Sequence, residues 1–273
     1  RSYTAGMALI KSDALFLEDA IVAAADVTQD TGTVEDEFGR LSVNGPERIA
    51  QSTTEAGLRL LTSVDVYLRK TALPTDNVVV TIQTDNANAP SGTIIATAPV
   101  LDGSTLTTTP TQKTFTFAQP VWLKAATKYW VVLARSGSLD STNFYNSSTV
   151  AVSAYANGNF QYYQSAAWND VGTKDLRFIL TTQATVAGRV YRATALQAET
   201  ATGFVGFASA AASSGASVKL KVIGVQDGFT GLTAGTAYYL SDTLGGISTS
   251  AGTVTRKVGF SLSTTELLIT NIW

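Results

Sequence analysis

From residue 51 to about 185, hydrophobic and polar positions alternate with period two. Val64, Val66 and Leu68 alternate with Asp65, Tyr67 and Arg69, and Val78, Val80 and Ile82 with Val79, Thr81 and Gln83. Phe115 and Phe117 alternate with Thr114 and Thr116, and Leu176, Phe178 and Leu180 with Asp175, Arg177 and Ile179. Successive side chains of a strand point to opposite faces, so each run buries one face and wets the other. Turn formers separate the runs: Pro74 to Asn77, Pro90-Ser91-Gly92 and Asp102-Gly103-Ser104. Short alternating strands with regular turn signals predict an all-β chain whose middle, residues 51–185, is a jelly-roll-like β-sandwich.

The flanks read differently. Residues 186–273 hold twelve of the 22 glycines, while all six prolines lie at or before Pro120. Val218, Leu220 and Val222 alternate with Lys219 and Lys221, which predicts a second, smaller β domain there. Residues 1–50 read as an N-terminal attachment arm. Within it Ser12-Asp13 is a candidate cap for a short helix carrying Leu17, Ile21 and Ala24 or Ala25 on one face, although Val and Ile there also suit a strand. One pattern recurs: Leu123-Lys-Ala-Ala-Thr-Lys-Tyr129-Trp130 parallels Leu232-Thr-Ala-Gly-Thr-Ala-Tyr238-Tyr239. Both read as a tight turn leading into an aromatic strand.

Charge changes the picture at the N-terminus. Residues 1–55 carry ten acidic and four basic side chains, a balance of −6, against +4 for the remainder. This suits either a solvated arm or one docked on a basic neighbour. Only 15% of the chain is charged, below the roughly 25% of an average domain. There is no basic run of the kind a nucleic-acid partner requires, and no apolar stretch near the roughly 20 residues of a membrane span. Arg1 begins the chain and Met7 is its one methionine, which reads as a processed or partial product.

The chain has neither His nor Cys. That removes the commonest general base, the Ser-His and Cys-His arrangements and the ordinary transition-metal ligands. Gly203-Phe-Val-Gly206 is no dinucleotide fingerprint. Glu35-Asp36-Glu37 is the densest acidic cluster, and paired acids can hydrolyse glycosides, but acids adjacent on an arm read as solvated. Asp85, Asn86 and Asn88 offer oxygens for Ca²⁺ without the Gly and terminal Glu of an EF-hand loop, and read as a turn. The inventory predicts no enzyme: no catalytic residue, no metal and no cofactor.

The sharpest local signal is Asn157-Gly158 between the runs Thr149–Ala156 and Asn159–Gln164. Asn-Gly favours a type I′ turn, because both central residues need positive φ. That hairpin sets Val150, Val152, Ala154 and Tyr163 on one face and Tyr155, Phe160 and Tyr162 on the other. With the aliphatic face in the core, three rings point outward and Trp168 extends them, a candidate surface for a glycan or a neighbouring subunit. The alternative puts the rings in the core and covers the Val face.

The stretch from Val225-Gln-Asp-Gly-Phe-Thr-Gly-Leu-Thr-Ala-Gly-Thr-Ala-Tyr-Tyr-Leu-Ser-Asp through Arg256-Lys-Val-Gly-Phe-Ser-Leu to Ile269 resembles a module of bacteriophage tail-fibre and capsid-fibre proteins. The resemblance implies a small β domain at the virion surface, other virion proteins as partners, frequent trimers and no catalytic residues. Val64-Asp-Val-Tyr-Leu-Arg-Lys-Thr, Thr81-Ile-Gln-Thr-Asp with Pro90-Ser-Gly-Thr, and Phe115-Thr-Phe through Tyr129-Trp-Val-Val-Leu are similar in style to carbohydrate-binding sandwiches. There Trp130 reads as core. The expectation is a non-enzymatic virion-surface protein, a homotrimer that contributes to host attachment and meets a host-surface glycan. The alternative is a secreted bacterial carbohydrate-binding protein.

Overall fold

The structure, a computed structural model, describes residues 2–17, 27–42, 45–57, 59–152, 154–183, 189–195 and 201–270. It is essentially all-β with several sheets. No helix among the described residues is long and apolar enough to cross a membrane. The chain divides into two compact units, Ala23–Ala184 and Arg1–Val22 with Thr185–Trp273.

In the Ala23–Ala184 unit two sheets share one core. The first runs in the order Asp175–Leu176, Phe144–Val150, Arg59–Thr71, Phe178–Gln183, Val27–Gln29. Thr111–Leu123 pairs with its long Arg59–Thr71 strand, and Val34–Phe38 pairs with Phe144–Val150. The second sheet runs Ala167–Asp170, Phe160–Gln164, Arg48–Thr54, Lys128–Arg135, Asn77–Asn86, Ala89–Thr97. Leu101–Asp102 also pairs with Asn77–Asn86. Val64, Val66, Leu68, Phe115 and Phe178 of the first sheet pack with Ile49, Val78, Val80, Ile82, Val131 and Leu133 of the second. All but Ile49, Val131 and Leu133 are positions that the alternation marks as buried. Each such side chain contributes about 1.5–3 kcal/mol on burial, so the apolar rows hold the sheets together.

Polar clasps pin the rim of this core, where a buried polar group must find a partner. Asp175 accepts the N–H groups of Ala154 and Tyr155 at 2.8 and 2.9 Å, and Gln51 accepts that of Leu176 at 2.8 Å. Asp76 takes both Nε and Nη2 of Arg135 at 2.8 Å, the Gly137 N–H at 2.9 Å and the Tyr145 hydroxyl at 2.8 Å. Gln51 and Arg135 lie on the second sheet, Asp175 and Tyr145 on the first, so these bonds tie one layer to the other.

The second unit holds a closed barrel of Ser2–Ala5, Arg189–Arg192, Ala14–Leu17, Phe204–Ala208 and Ser217–Lys221. It also holds a five-stranded sheet, in the order Gly224–Asp227, Glu266–Ile269, Lys257–Ser261, Ala237–Leu240, Ile247–Ser248. The segment expected as a separate arm is therefore shared out. Ser2–Ala5 pairs with Arg189–Arg192 in parallel and with Ser217–Lys221 antiparallel, while Val34–Phe38 and Arg48–Thr54 belong to the sandwich. A helix beginning at Ser12-Asp13 is also corrected, because Ala14–Leu17 is a strand with Ala14, Leu15 and Phe16 buried. Asp13 instead accepts Arg192 Nε and the Ile10 N–H, both at 2.7 Å. Ile21 and Ala24–Ala25 lie outside the described residues.

The recurring Leu-to-Tyr pattern has a physical basis. The Tyr129 hydroxyl accepts the Lys124 N–H at 3.2 Å, and the Tyr238 hydroxyl accepts the Thr233 N–H at 2.9 Å. The equivalent positions Ala126 and Gly235 both have positive φ, 51° and 75°. In each copy the ring closes the turn that delivers it to its strand.

Candidate functional site

The strand Phe160–Gln164 joins Ala167–Asp170 through a two-residue turn, Ser165 and Ala166, with φ of 52° and 63°. Both central residues are thus left-handed, as a type I′ hairpin requires, without Asn or Gly. On its other side the strand pairs with Arg48–Thr54. That register sets Phe160 and Tyr162 opposite Gln51 and Ile49 on the inner face, and Gln161 and Tyr163 opposite Ala50 and Arg48 on the outer face.

The hairpin expected about Asn157-Gly158 does not form. Its two strands, Phe144–Val150 and Phe160–Gln164, belong to different sheets, so the segment between them crosses the sandwich. Gly158 is needed for closeness: a Cβ there would stand 1.9 Å from the Ser52 carbonyl oxygen. Ser52 in turn receives the Asn159 N–H on its hydroxyl at 2.7 Å. Ser153, which the hairpin would have paired with Tyr162, lies outside the described residues.

The expected aromatic surface is corrected accordingly. Phe160 is fully buried and Tyr155 is 8% exposed, whereas Val152 is 72% exposed. The rings, then, are the core face. Tyr155 packs edge-on to Phe178 at 5.2 Å and shares a 2.6 Å hydrogen bond with the Thr53 hydroxyl. Burial pushes its phenol up to about 12. Tyr162 lies edge-on to Phe160 and donates to Asp36, which also accepts the Thr149 hydroxyl and Lys174 Nζ, the latter at 2.7 Å. Burial first, and then the Asp36 carboxylate, raises the Tyr162 phenol above its ordinary range.

Of the four residues, Trp168 alone stands on the outer face. There it meets side chains that the sequence reading did not place with it. Trp168 packs against Ala50, Trp130 and Val132 and lies edge-on to Tyr163 at 5.2 Å. The Arg48 guanidinium sits over the Tyr163 ring at 4.2 Å. Trp130, fully buried, belongs to this outer face and not to the inter-sheet core. It gives its indole N–H to Asp85 at 2.7 Å. The hairpin tip of Ala87 and Asn88 reaches across the same face, its Asn88 carbonyl accepting Gln161 Nε2 at 2.7 Å. Gln161 is 5% exposed, and its carbonyl oxygen is buried with no hydrogen-bond partner among the described residues. Beside the Arg48–Tyr163 pair opens a pocket of about 260 Å³ lined by Glu47, Arg48, Ala134, Arg135, Gly137, Ser138 and Leu139. Among the described residues neither Glu47 nor Arg48 has an ion-pair partner. An aromatic ledge, a free guanidinium and carboxylate and a buried acceptor thus converge on one sheet face. Chemically, rings beside free charges suit a polar molecule that has an apolar side.

The acidic cluster Glu35-Asp36-Glu37 lies on the sandwich strand Val34–Phe38 and is neutralised in place. Glu35 pairs with Arg69, Asp36 with Lys174 and Glu37 with Arg40. The Asp85 carboxylate takes the Trp130 indole on one oxygen and the Asn88 N–H, at 3.2 Å, on the other, which closes the turn at Ala87–Asn88.

No family model and no curated protein matches the chain. Among solved structures the chain is similar to a glycoside hydrolase family 43 arabinoxylan arabinofuranohydrolase from Bacillus subtilis in complex with cellotetraose, with 12% identity and a TM-score of 0.28. The match covers 51% of this chain and 27% of that one, so the chain spans about a quarter of that protein's length.

Proposed function

We propose that this protein works by contact, without making or breaking covalent bonds. In this reading it is a bacteriophage virion-surface protein of the tail-fibre or capsid-fibre and decoration type. Its sandwich binds a saccharide of the host surface on the outer face of the Arg48–Thr54 sheet. The observation that carries the binding is the Trp168–Tyr163–Arg48 ledge beside the Glu47–Arg48 pocket. The rings offer a flat apolar surface to a sugar's C–H face, and the unpaired charges of Glu47 and Arg48 answer its hydroxyls. The resemblance of the Val225–Ile269 stretch to phage fibre modules supplies the setting, with other virion proteins as its partners.

The test is titration of the full chain with a panel of capsular, O-antigen and cell-wall polysaccharides. Saturable binding that Trp168→Ala weakens at least tenfold, about 1.4 kcal/mol, supports the reading. Leu73→Ala, an exposed position elsewhere in the unit, serves as the control. Binding indifferent to Trp168→Ala, or absent throughout the panel, overturns it. Particle imaging tests the setting: a chain found in the culture medium and missing from purified virions is a secreted bacterial carbohydrate-binding protein using the same ledge.

A further inference from the structure

The five-stranded sheet of the second unit leaves one face uncovered. Pairing sets Val225, Leu268, Phe260 and Ala237 side by side across four strands. On the opposite face Gln226, Leu267 and Ser261 form a buried row, as do Ile269, Gly259 and Tyr238. Of the eleven large hydrophobic side chains exposed among the described residues, Val225 and Phe260 lie in this sheet, and Ile223 and Leu262 continue their strands with the same alternation. Ile223 is 70% and Phe260 38% exposed. Such a concentration on one small face is the mark of an interaction surface, since single exposed hydrophobics are ordinary and a contiguous set is not.

The charges on the face say what fits it. On one side of the apolar row Lys257 places its ammonium 3.8 Å from the Phe260 ring centroid and has no acidic partner among the described residues. Across the row Glu266, two residues from Leu268 and so on the same face, lies in register with Asp227. Asp227 is already held by Lys11 at 2.6 Å, whereas Glu266 has only the Ser263 hydroxyl at 3.4 Å. One unpaired cation and one unpaired anion therefore flank a single hydrophobic stripe on its two sides, displaced from it along the strands.

We propose that this face binds a second copy of the same chain, sheet face on sheet face. The two copies are related by a two-fold axis lying in the interface and perpendicular to the strands. That operation lays the stripe on itself and brings Lys257 of each copy onto Glu266 of the other, so the surface is complementary to itself in both hydrophobicity and charge. The small sheet places the contact at the low end of interface sizes, below roughly 1,200 Å² in total. The pairing is accordingly reversible with concentration.

Sedimentation equilibrium of the full chain over a range of concentrations tests it. The wild type rises from one chain mass towards two. Ile223→Asp and Phe260→Asp, both at exposed positions, stay at one, with melting curves and circular dichroism as checks on folding. Lys257→Glu alone sets like charges against each other on both sides of the stripe and weakens pairing at least tenfold. Adding Glu266→Lys to it restores pairing to within threefold of the wild type. Three outcomes overturn the proposal: a monomer at every concentration, a trimer indifferent to these substitutions, or a reciprocal swap that fails to rescue. None of these outcomes bears on saccharide binding by the sandwich.

Discussion

Replacing Asp76 by Asn tests whether the polar clasps at the rim of the sandwich hold it shut. The carboxylate is enclosed by four donors: two nitrogens of Arg135, the Gly137 N–H and the Tyr145 hydroxyl. The side chains of Asp76 and Arg135 are 14% and 7% exposed. Arg135 also donates to the carbonyls of Gly39 and Asn143, so it stays in place when its counter-charge is removed. An uncompensated buried charge costs about 3–5 kcal/mol, and Asn keeps one acceptor, which puts the loss near the lower figure. For a unit of this size that is a fall in Tm of roughly 6–12 °C. The pH dependence supplies the sign. Burial alone would raise the Asp76 carboxyl, but the bonds from Arg135, Gly137 and Tyr145 outweigh it and hold the group below its ordinary value of 3.8. A depressed carboxyl stabilises fully above the unfolded value and loses that contribution as pH falls through the folded one. Urea titrations of wild type and Asp76→Asn should therefore differ by a constant amount between about pH 5 and 8, and the gap should close below about pH 4. A difference under about 1 kcal/mol at neutral pH, the size of one ordinary hydrogen bond, would refute the reasoning. So would a gap that persists unchanged at pH 3.

The other outcomes can be stated briefly. Gly158→Ala forces a Cβ against the Ser52 carbonyl and should cost at least about 1–3 kcal/mol, whereas Ala166→Gly, at φ of 63°, should gain about 0.5–1 kcal/mol; equal effects in urea melts would contradict both assignments. In an ultraviolet pH titration Tyr145, Tyr155 and Tyr162 should remain protonated after the exposed tyrosines ionise. Because their phenols are raised, the stability they carry is complete below about pH 10 and is lost as pH rises through the folded values; a single titration step for all tyrosines would show the burial to be wrong. Trp168→Ala should abolish saccharide retention on an affinity gel with a change in Tm of no more than a few degrees, while Tyr155→Phe should do the reverse, lowering stability by about 1 kcal/mol through the lost Thr53 bond and leaving retention intact.

The strands of the sandwich were legible because the information that makes them is local. A run such as Val64-Asp-Val-Tyr-Leu carries its own period, and its apolar positions are buried whichever strand lies beside it. Pairing is not local. Ala14–Leu17 is too short to display a period, and its partners, Arg189–Arg192 and Phe204–Ala208, lie more than 170 residues downstream, so nothing near residue 14 announces a barrel. Asn157-Gly158 misled for a related reason. Glycine satisfies either a positive φ or a close approach, and only the position of Ser52, brought in from another strand, shows that closeness is the need.

The ledge shows most sharply where the limit falls. In Phe160-Gln-Tyr-Tyr-Gln164 each face of the strand carries an aromatic ring and neither is wholly apolar, so period two fixes which residues share a face and leaves open which face is inside. A register shift of one residue would exchange them. What decides is Ile49 on the neighbouring strand, some 110 residues upstream, which aligns Tyr162 with the core and leaves Tyr163 outside with Arg48 and Trp168. Clustering of Phe160 with Tyr162, and of Tyr163 apart from them, was thus inherent in the chain, while the identity of the outward pair was not. An outer surface on a sheet is made of those side chains whose orientation the core has left over. Its residues can be found only after the core has been assigned, which is why the sequence reading grouped Trp168 with Tyr155, Phe160 and Tyr162, whereas the structure sets it beside Tyr163 and Arg48.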